Sequence, residues 1–404
     1  MKTQTVKGFR DFLPQDAQKR RFVLQKITSV YQKFGFEPLE TPTLEYAETL
    51  KGKYGEEEKL IYEFETKGGD KVAMRYDQTV PLARVVAQYG PKGSQVLPTP
   101  FKRYQVQSAF RGENTQKGRY REFTQCDADI IGSATPLADA ELLAMVYEIY
   151  QELGLEVTIQ VNDRSQLANV DTSYLAAIDK FDKIGEEGVL KDLESRGLSK
   201  EEAAETFKKI TTLPLSDNLK EIIKLYTGMG YPENSVQYTP TMVRGLDYYT
   251  GLIIEVKNAS DIKASTLAAG GRYDKLLGKF IGTDIAATGF SIGLDRTIEA
   301  LDEKELLQNL PNGTKVLVTI FSPELVKDSL AVAKRLRDND VNAEIYLDPT
   351  VKLDKQLKYA DQKGIPFAVI MGPDEAASKT ATIKNLQQKT QTQISLEGLA
   401  QALK

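Results

Sequence analysis

The chain of 404 residues contains no histidine and a single cysteine, Cys126. Average composition would give about eight histidines in this length. Without histidine, the chain cannot form a serine–histidine or cysteine–histidine nucleophile pair, a histidine general base or a histidine metal ligand. A lone cysteine excludes an internal disulfide and a zinc site built from cysteines. Histidine-dependent hydrolases, metal sites with histidine ligands and zinc sites built from cysteines are therefore excluded.

One short motif of hydrolytic enzymes occurs in the chain, and one short motif of nucleotide-binding enzymes does not. Residues 289–293, GFSIG, match the G-x-S-x-G elbow of serine hydrolases. That triad requires a histidine, so the match does not indicate a hydrolase. The phosphate-binding pattern G-x-x-x-x-G-K-[ST] does not occur in the chain.

Long apolar runs are also missing. The sequence has no N-terminal apolar segment after basic residues and no run of 18 apolar residues, so we expect a cytoplasmic protein with no membrane partner. The net charge is −4 and the pI is about 5.4. Nucleic acid binding would therefore depend on local basic patches. The length predicts two or three domains, and 41% hydrophobic residues suffice for a sizeable core.

Residues 101–132 predict an antiparallel hairpin with one polar face. In a strand, residues two apart share a face. The first strand places Gln105, Gln107, Ala109, Arg111 and Glu113 together, and the second places Arg121, Phe123, Gln125, Asp127 and Asp129 together. Arginine suits phosphate oxygens, an aromatic ring suits a base, and a carboxylate suits an ammonium group. Alternation alone is more typical of an ordinary amphipathic hairpin with one solvated face than of a binding surface.

The rest of the chain predicts an α+β fold in two domains. Residues 1–310 contain most of the strand signals. They are interrupted at about 165–231 by a Lys-, Glu-, Leu- and Ala-rich segment with helical periodicity, which indicates a helical insertion. Residues 315–404 alternate strand-like and helical segments, as in βαβ units.

Two charged residues lie where predicted helices begin. Asp77 precedes a helix that starts at Thr79, and an acid in that position usually caps the helix. Arg296 lies in the first turn of a helix, where the helix dipole does not favour a cation. An anionic partner for Arg296 and a plain surface arginine are both compatible with that position.

Several motifs together resemble the histidyl-tRNA synthetases, a family of class II aminoacyl-tRNA synthetases. Residues 7–14, KGFRDFLP, are similar to the family's N-terminal signature, and the helix and extended segment around Pro42 resemble class II motif 1. RGENTQKGRYREFTQ resembles motif 2, and GFSIGLDR resembles motif 3. VRGLDYY at 243–249 and AGGRYD at 269–274 resemble the two histidine-specific motifs. The resemblance implies an antiparallel-sheet catalytic domain with a helical insertion and a C-terminal α/β anticodon-binding domain.

The resemblance also implies a role for individual residues. Arg111 and Arg244 are implied as catalytic residues at the reacting phosphate. The implied ATP-binding residues are Arg111, Glu113, Arg121, Phe123 and Arg296. The implied histidine-binding residues are Asp77, Gln125, Asp129, Tyr248, Tyr249 and Tyr273. Gln116 in the motif 2 loop is implied to contact the tRNA acceptor end. Asp127 shares their face and receives no role.

The activity implied is that of a histidine–tRNA ligase. It would use ATP and Mg²⁺, with the metal carried by ATP, and its partners would be L-histidine, tRNA(His) and a second copy of the chain. Arginines and Mg²⁺ would stabilise charge on the phosphate oxygens, so that no side-chain nucleophile is needed. The alternative is a non-catalytic, histidine-sensing regulatory subunit of ATP phosphoribosyltransferase. Such relatives generally lack the anticodon domain and the ATP-site arginines.

Overall fold

The protein folds into two compact units, residues 1–308 and 309–404. The structure is a computed structural model. It describes residues 2–52, 55–116, 118–243, 249–261, 265–308, 310 and 313–404, and only the backbone of 55–57.

The first unit is built on an eight-stranded, mostly antiparallel sheet. The strands of this unit are β1 (Glu37–Pro38), β2 (Leu44–Tyr46), β3 (Glu63–Glu65), β4 (Lys71–Met74), β5 (Phe101–Phe110), β6 (Glu122–Ile131), β7 (Val157–Asp163), β8 (Val236–Tyr238), β9 (Leu252–Asn258), β10 (Ala268–Arg272) and β11 (Ala287–Gly293). The large sheet has the order β1-β5-β6-β11-β10-β9-β7-β8, and β2-β4-β3 form a separate small sheet. Only the β1–β5 and β7–β8 pairs are parallel among the described strands of this unit.

Helices pack against the large sheet of the first unit. The helices of the first unit are α1 (Pro14–Lys33), α2 (Ala47–Leu50), α3 (Thr79–Tyr89), α4 (Pro136–Glu152), α5 (Thr172–Ile178), α6 (Phe181–Ser195), α7 (Lys200–Thr211), α8 (Asp217–Gly228), α9 (Asp274–Ile281) and α10 (Leu294–Glu303), with short 3₁₀ turns at Gly55–Leu60, Arg164–Leu167 and Glu233–Ser235. Helix α1 buries Val23, Ile27, Val30 and Tyr31 at helical spacing. The Tyr31 hydroxyl donates to the Cys126 carbonyl over 2.8 Å, so α1 lies on the Cys126 side of β6.

The predicted hairpin is present, and its two strands pair in the register that alternation implies. Gln105 lies opposite Asp127, Gln107 opposite Gln125 and Ala109 opposite Phe123. The prediction of strand structure at Arg111 and Glu113 was wrong, because β5 ends at Phe110. Beyond that point the backbone donors bond to other segments. The Gly112 amide, for example, donates to the Leu60 carbonyl over 2.7 Å. The loop is therefore longer than the sequence pattern predicts.

Helices α5–α8 lie between β7 and β8 along the chain, and α5, α6 and α7 share a core of their own. Its buried side chains include Leu175, Val189, Leu193, Phe207 and Ile210. Helix α7 begins with a capping box, in which the Ser199 side chain and Glu202 satisfy each other's backbone amides.

The second unit is a five-stranded sheet with helices. Its strands are β12 (Val316–Val318), β13 (Ala343–Ile345), β14 (Phe367–Ile370), β15 (Thr380–Asn385) and β16 (Thr390–Ser395), in the order β13-β12-β14-β15-β16. Its helices are α11 (Val326–Arg337), α12 (Leu353–Gln362), α13 (Pro373–Ser378) and α14 (Leu399–Ala402), with a 3₁₀ turn at Pro323–Leu325. Strands β12, β13 and β14 are parallel, and β15 and β16 extend the sheet antiparallel.

The predicted α+β fold class, with an antiparallel sheet and a C-terminal α/β unit, is thus confirmed. None of the helices in the described part of the chain has the length and apolar content to cross a membrane.

Candidate active site

A cavity of about 650 Å³ opens in the first unit on the polar face of β6. Strands β6, β10 and β11, the loop after β5, the start of α3 and the start of α10 supply its walls. Nine of the residues implied as ligands line it: Asp77, Arg111, Glu113, Phe123, Gln125, Asp129, Tyr249, Tyr273 and Arg296. Residues far apart in sequence therefore meet at one site.

Glycines on β10 and β11 keep the floor of the cavity open. A Cβ atom at Gly289 would overlap the Asp129 carboxylate, and one at Gly270 would overlap the Gly289 carbonyl and Phe290. Any larger residue at these two positions would displace the adjoining strand or the Asp129 side chain. The glycines thus let Asp129 occupy the space above β11.

Asp129 is the centre of the inner end of the cavity. The Arg103 guanidinium, fully buried, lies 2.7 Å from Asp129 Oδ2, and the Tyr273 hydroxyl donates to Oδ1. Burial raises the pKa of Asp129, while Arg103 and the Tyr273 hydroxyl oppose that rise. Burial, together with the Asp129 charge, raises the pKa of Tyr273 well above its ordinary value. The pair therefore presents an acceptor and a phenol in fixed positions.

Gln125 and Asp77 flank this centre. The Gln125 side-chain amide nitrogen donates to Ser291 Oγ over 2.8 Å. Asp77 Oδ1 accepts from the Val80 amide over 3.1 Å, so Asp77 caps α3 as its position predicts and also lines the cavity. A cap and a ligand contact are compatible, because a carboxylate has a second oxygen.

Asp127 lies between Gln125 and Asp129 on β6 and is 2% exposed. Burial raises the pKa of Asp127 to about 7, and the Arg103 charge opposes the rise. Period-two alternation places Asp127 on this face, but it says nothing of the groups that surround the carboxylate.

The outer end of the cavity carries guanidinium groups held by backbone carbonyls. Arg111 Nε donates to the Tyr76 carbonyl over 3.1 Å, and its guanidinium lies 4.2 Å from the Tyr76 ring centroid and 5.0 Å from that of Phe123. Arg296 donates to the Thr266 carbonyl over 3.1 Å and to the Gly118 carbonyl over 3.4 Å. Each of these guanidinium groups could exchange its bonds to backbone carbonyls for stronger, charge-assisted bonds to an anion.

Four of the implied residues either do not line the cavity or lie outside the described part of the chain. Arg121 donates to the Glu113 carbonyl over 3.0 Å and is not among the residues that line the cavity. Gln116 is exposed on the loop, where its backbone pairs with Arg119. Arg244 and Tyr248 lie outside the described residues.

Residues near the N-terminus contact the loop between β5 and β6 and the start of α10. These contacts were not predicted from the sequence. Arg10 lies 3.2 Å from the Tyr120 ring centroid, and both Arg10 and Arg20 reach Asp295 Oδ1, at 2.9 and 2.6 Å. The Gly8 carbonyl accepts the Arg121 amide over 3.0 Å. The available signal was the KGFRDFLP segment, which resembles the family's N-terminal signature but does not indicate which residues it contacts. Arg119, which pairs with Glu113, was also missed.

Comparison with known proteins identifies the family. A sequence model described as histidyl-tRNA synthetase matches residues 8–170 and 160–297. The chain belongs to the histidyl-tRNA synthetase family. A second model, described as an anticodon binding domain, matches residues 315–404. The predicted membership of this class II aminoacyl-tRNA ligase family is confirmed.

Relatives of the synthetase family match over nearly the whole chain. The histidine–tRNA ligase of Gloeobacter violaceus is 36% identical, over 99% of this chain and 98% of its own length. That of Nanoarchaeum equitans is 39% identical, over 97% of each chain. The crystal structure of histidyl-tRNA synthetase from Nostoc sp. PCC 7120 superposes with a TM-score of 0.87 and 30% identity, over 100% of this chain and 99% of that one.

A regulatory relative shares the synthetase fold. A Bacillus halodurans C chain, named as an ATP phosphoribosyltransferase regulatory subunit/histidyl-tRNA synthetase, superposes with a TM-score of 0.72 at 21% identity. It covers 88% of this chain and 96% of its own length. At this identity the likeness concerns the fold alone.

Proposed function

We propose that the protein activates L-histidine with ATP and transfers the histidyl group to the 3′ end of tRNA(His). One observation carries the proposal: a single cavity has guanidinium groups at its outer end and buried carboxylates with a tyrosine at its inner end. The outer end suits a triphosphate and the inner end suits an amino acid with a cationic ammonium group.

In the first step, a carboxylate oxygen of histidine attacks the α-phosphorus of ATP. The new oxygen–phosphorus bond gives histidyl-adenylate, and the bond to the β-phosphate oxygen breaks to release pyrophosphate. Arg111 and Arg244 bind the α-phosphate, and Arg121 and Arg296 bind the outer phosphates. Mg²⁺ carried by ATP would supply further positive charge to the phosphate oxygens beside these arginines. Most of the barrier is charge on oxygen, so fixed cations are the main catalytic requirement.

Adenine and histidine occupy opposite ends of the cavity in this arrangement. Adenine stacks on Phe123 and its amino group donates to Glu113. Asp77, Gln125 and Asp129 surround the histidine ammonium and imidazole groups, and Tyr248, Tyr249 and Tyr273 complete the pocket. The ion pair that Glu113 forms with Arg119 must open or shift when adenine binds.

In the second step, the 3′-terminal hydroxyl of the tRNA attacks the activated carbonyl carbon, and AMP leaves. An oxygen of the adenylate phosphate takes the hydroxyl proton, so no side-chain base is required. Gln116 contacts the acceptor end from the exposed loop. Residues 1–310, with the helical insertion at about 165–231, form the catalytic domain, and residues 315–404 bind the anticodon.

The protein acts as a homodimer in the cytoplasm in this proposal. Support for the dimer comes from exposed apolar side chains on the small sheet: Leu44 and Tyr46 on β2 and Phe64 on β3 are 41%, 59% and 47% exposed. Large apolar side chains gathered on one sheet commonly mark an interface.

Histidine-dependent exchange between ATP and pyrophosphate tests the first step, and charging of tRNA(His) tests the second. We expect exchange with histidine and none above background with the other standard amino acids. Exchange with a different amino acid, or no exchange at all, would refute the assignment. A regulatory subunit would bind histidine in equilibrium dialysis and yet give no exchange. Residues 315–404 and the four arginines at 111, 121, 244 and 296 argue against that alternative.

A further inference from the structure

Residues 8–12, the N-terminal strap, contact two parts of the cavity wall that are far apart in the sequence. One part is the loop between β5 and β6, which leads to Arg121. The other is the start of α10, which contains Arg296. Both arginines are proposed to bind the outer phosphates of ATP. The separation of the loop from the helix therefore decides whether the two can act on one triphosphate.

The strap holds the loop through backbone and side-chain contacts. The Gly8 carbonyl accepts the Arg121 amide over 3.0 Å and the Glu122 amide over 3.3 Å. The Arg10 guanidinium lies 3.2 Å from the Tyr120 ring centroid. Backbone hydrogen bonds therefore fix the position of Arg121 relative to the strap, and a cation–π contact adds to them.

The same guanidinium group also reaches the start of α10. Arg10 Nη2 lies 2.9 Å from Asp295 Oδ1, and Arg20 of α1 reaches the same oxygen at 2.6 Å. Asp295 is 8% exposed and directly precedes Arg296 in the sequence. An ion pair with a buried partner is screened less than one on the surface. Arg10 thus contacts both the loop and the helix with a single planar group.

The strap supplies a link between loop and helix that nucleotide binding would leave intact. Arg296 Nε donates to the Gly118 carbonyl over 3.4 Å, which is long for a hydrogen bond. That direct link would be lost if Arg296 turned to a phosphate. Arg10 is not among the residues that line the cavity, whereas Tyr120 and Asp295 are. Arg10 would therefore act through these two residues without contacting the nucleotide.

We propose that Arg10 is a positioning residue, which holds the loop and the start of α10 at the separation needed for their two arginines to bind one triphosphate. It does so by contacting Tyr120 and Asp295 with one guanidinium group. The inference rests on the proposed function and adds to it a residue outside the cavity that determines the affinity for ATP. It concerns the β- and γ-phosphates, so a nucleotide without them should bind independently of Arg10.

The test compares the binding of ATP and AMP to the full chain. In Arg10→Gln we expect the Kd for ATP, from isothermal titration calorimetry, to rise about 10-fold, a typical loss when one charge-assisted bond to a phosphate is weakened. The Kd for AMP should not change, because AMP has no outer phosphates. Histidine-dependent ATP–pyrophosphate exchange should show the same rise in the KM for ATP, with the KM for histidine unchanged.

Two variants separate positioning from general stability. Arg10→Lys keeps a cation near Tyr120 and Asp295, so it should restore part of the affinity for ATP. Lys19→Gln is the matched control, because Lys19 of α1 lies 2.6 Å from Asp302 and so also ties the N-terminal region to α10. Asp302 lies at the opposite end of that helix, so the control should leave the Kd for ATP unchanged.

Tyr120→Leu tests the same bridge from the side of the loop. Because Arg10 and Tyr120 act through one contact, the double variant should bind ATP no more weakly than the worse single variant. A multiplicative loss would overturn the proposal, since independent contacts would then be involved. If Arg10→Gln does not fold, Tyr120→Leu decides the matter, and an unchanged Kd for ATP in that variant would overturn the bridge.

The outcomes are distinct for the two proposals. Absence of histidine-dependent exchange in the unmodified protein would refute the proposed function, and the binding of ATP and AMP would still decide the role of Arg10. An unchanged Kd for ATP in Arg10→Gln, or an equal rise for ATP and AMP, would overturn that role. A similar rise in Lys19→Gln would also overturn it, because the effect would then arise from the packing of α1 on α10.

Discussion

The two ends of the cavity are held by different kinds of interaction. At the inner end, the side chains of Asp129, Arg103 and Tyr273 contact one another and are almost fully buried. At the outer end, Arg111 and Arg296 are partly exposed and their guanidinium groups rest on backbone carbonyls. The inner end is therefore preorganised at the expense of stability, whereas the outer end can adjust to its ligand.

The difference follows from the position of each end along β6. The strand passes from its partly exposed start at Glu122 into the middle of the sheet, where β5 and β11 flank it on both sides. Charges in the middle of the sheet must be paired, because desolvation is otherwise too costly. Charges at the start of the strand keep contact with solvent and need no fixed partner.

Arg103→Met should give the largest effect on stability. It leaves the Asp129 carboxylate buried without its cation, which typically costs about 3–5 kcal/mol. We expect the free energy of unfolding of the first unit, from urea denaturation, to fall by that amount. Arg111→Met is the matched control, with a change below about 1 kcal/mol. Equal losses of unfolding free energy in Arg103→Met and Arg111→Met would contradict the difference between the inner and outer ends of the cavity.

Arg111→Met should instead give the largest effect on activity at unchanged fold. Removal of one preorganised donor to developing charge typically costs 10²–10³-fold in rate, about 2.7–4 kcal/mol. We expect that loss in kcat of histidine-dependent exchange, with a melting temperature close to that of the unmodified protein. Exchange within 3-fold of normal would show that Arg111 does not contact the reacting phosphate.

Asp127→Asn should change how stability depends on pH. The folded-state pKa of Asp127 is about 7, above its ordinary value of 3.8, so the folded chain binds more protons than the unfolded chain between these limits. The unmodified protein should therefore lose stability from this group as pH rises from about 4 to 7. Across that range, the free energy of unfolding of the variant should rise relative to that of the unmodified protein by at least about 1.4 kcal/mol. If the free energies of unfolding of the two proteins changed with pH in parallel, the raised pKa of Asp127 would be contradicted.

Gly8→Ala should give a smaller effect, confined to the outer end. Gly8 has φ +88°, and a Cβ there would lie 2.6 Å from Arg121 Cγ. We expect a several-fold rise in the KM for ATP and no change in the KM for histidine. Gly35→Ala is the control, since Gly35 has φ +75° but open space around its Cβ position. A similar rise in both variants would assign the effect to backbone strain alone.

The sequence predicted the polar face of the hairpin because a strand with one buried face obeys strict alternation. The register of β5 and β6 confirms that face residue by residue from Gln105 to Phe123. Alternation could not predict where β5 ends, because the Gly112 amide bonds to Leu60, some fifty residues earlier in the chain. Long-range hydrogen bonds of that kind leave no periodic signal.

The same limit applies to the side-chain contacts of the candidate site. Asp129, Gln125 and Tyr273 were placed in the pocket by resemblance, and the cavity contains all three. Their roles stay predictions. The direction of the Gln125 amide and the pairing of Arg119 with Glu113 depend on groups that meet only after folding. Composition and spacing carry no information about such contacts.

The wall that Asp129 and Tyr273 form has a practical consequence for spectroscopy, because the protein itself contains no imidazole. In a nitrogen-15 spectrum of the complex with histidine, every imidazole resonance would arise from the ligand, with no background to subtract. The shifts of its two ring nitrogens would report the tautomer and charge that this wall selects. The protein therefore contributes no imidazole signal of its own when the ring of a bound histidine is observed.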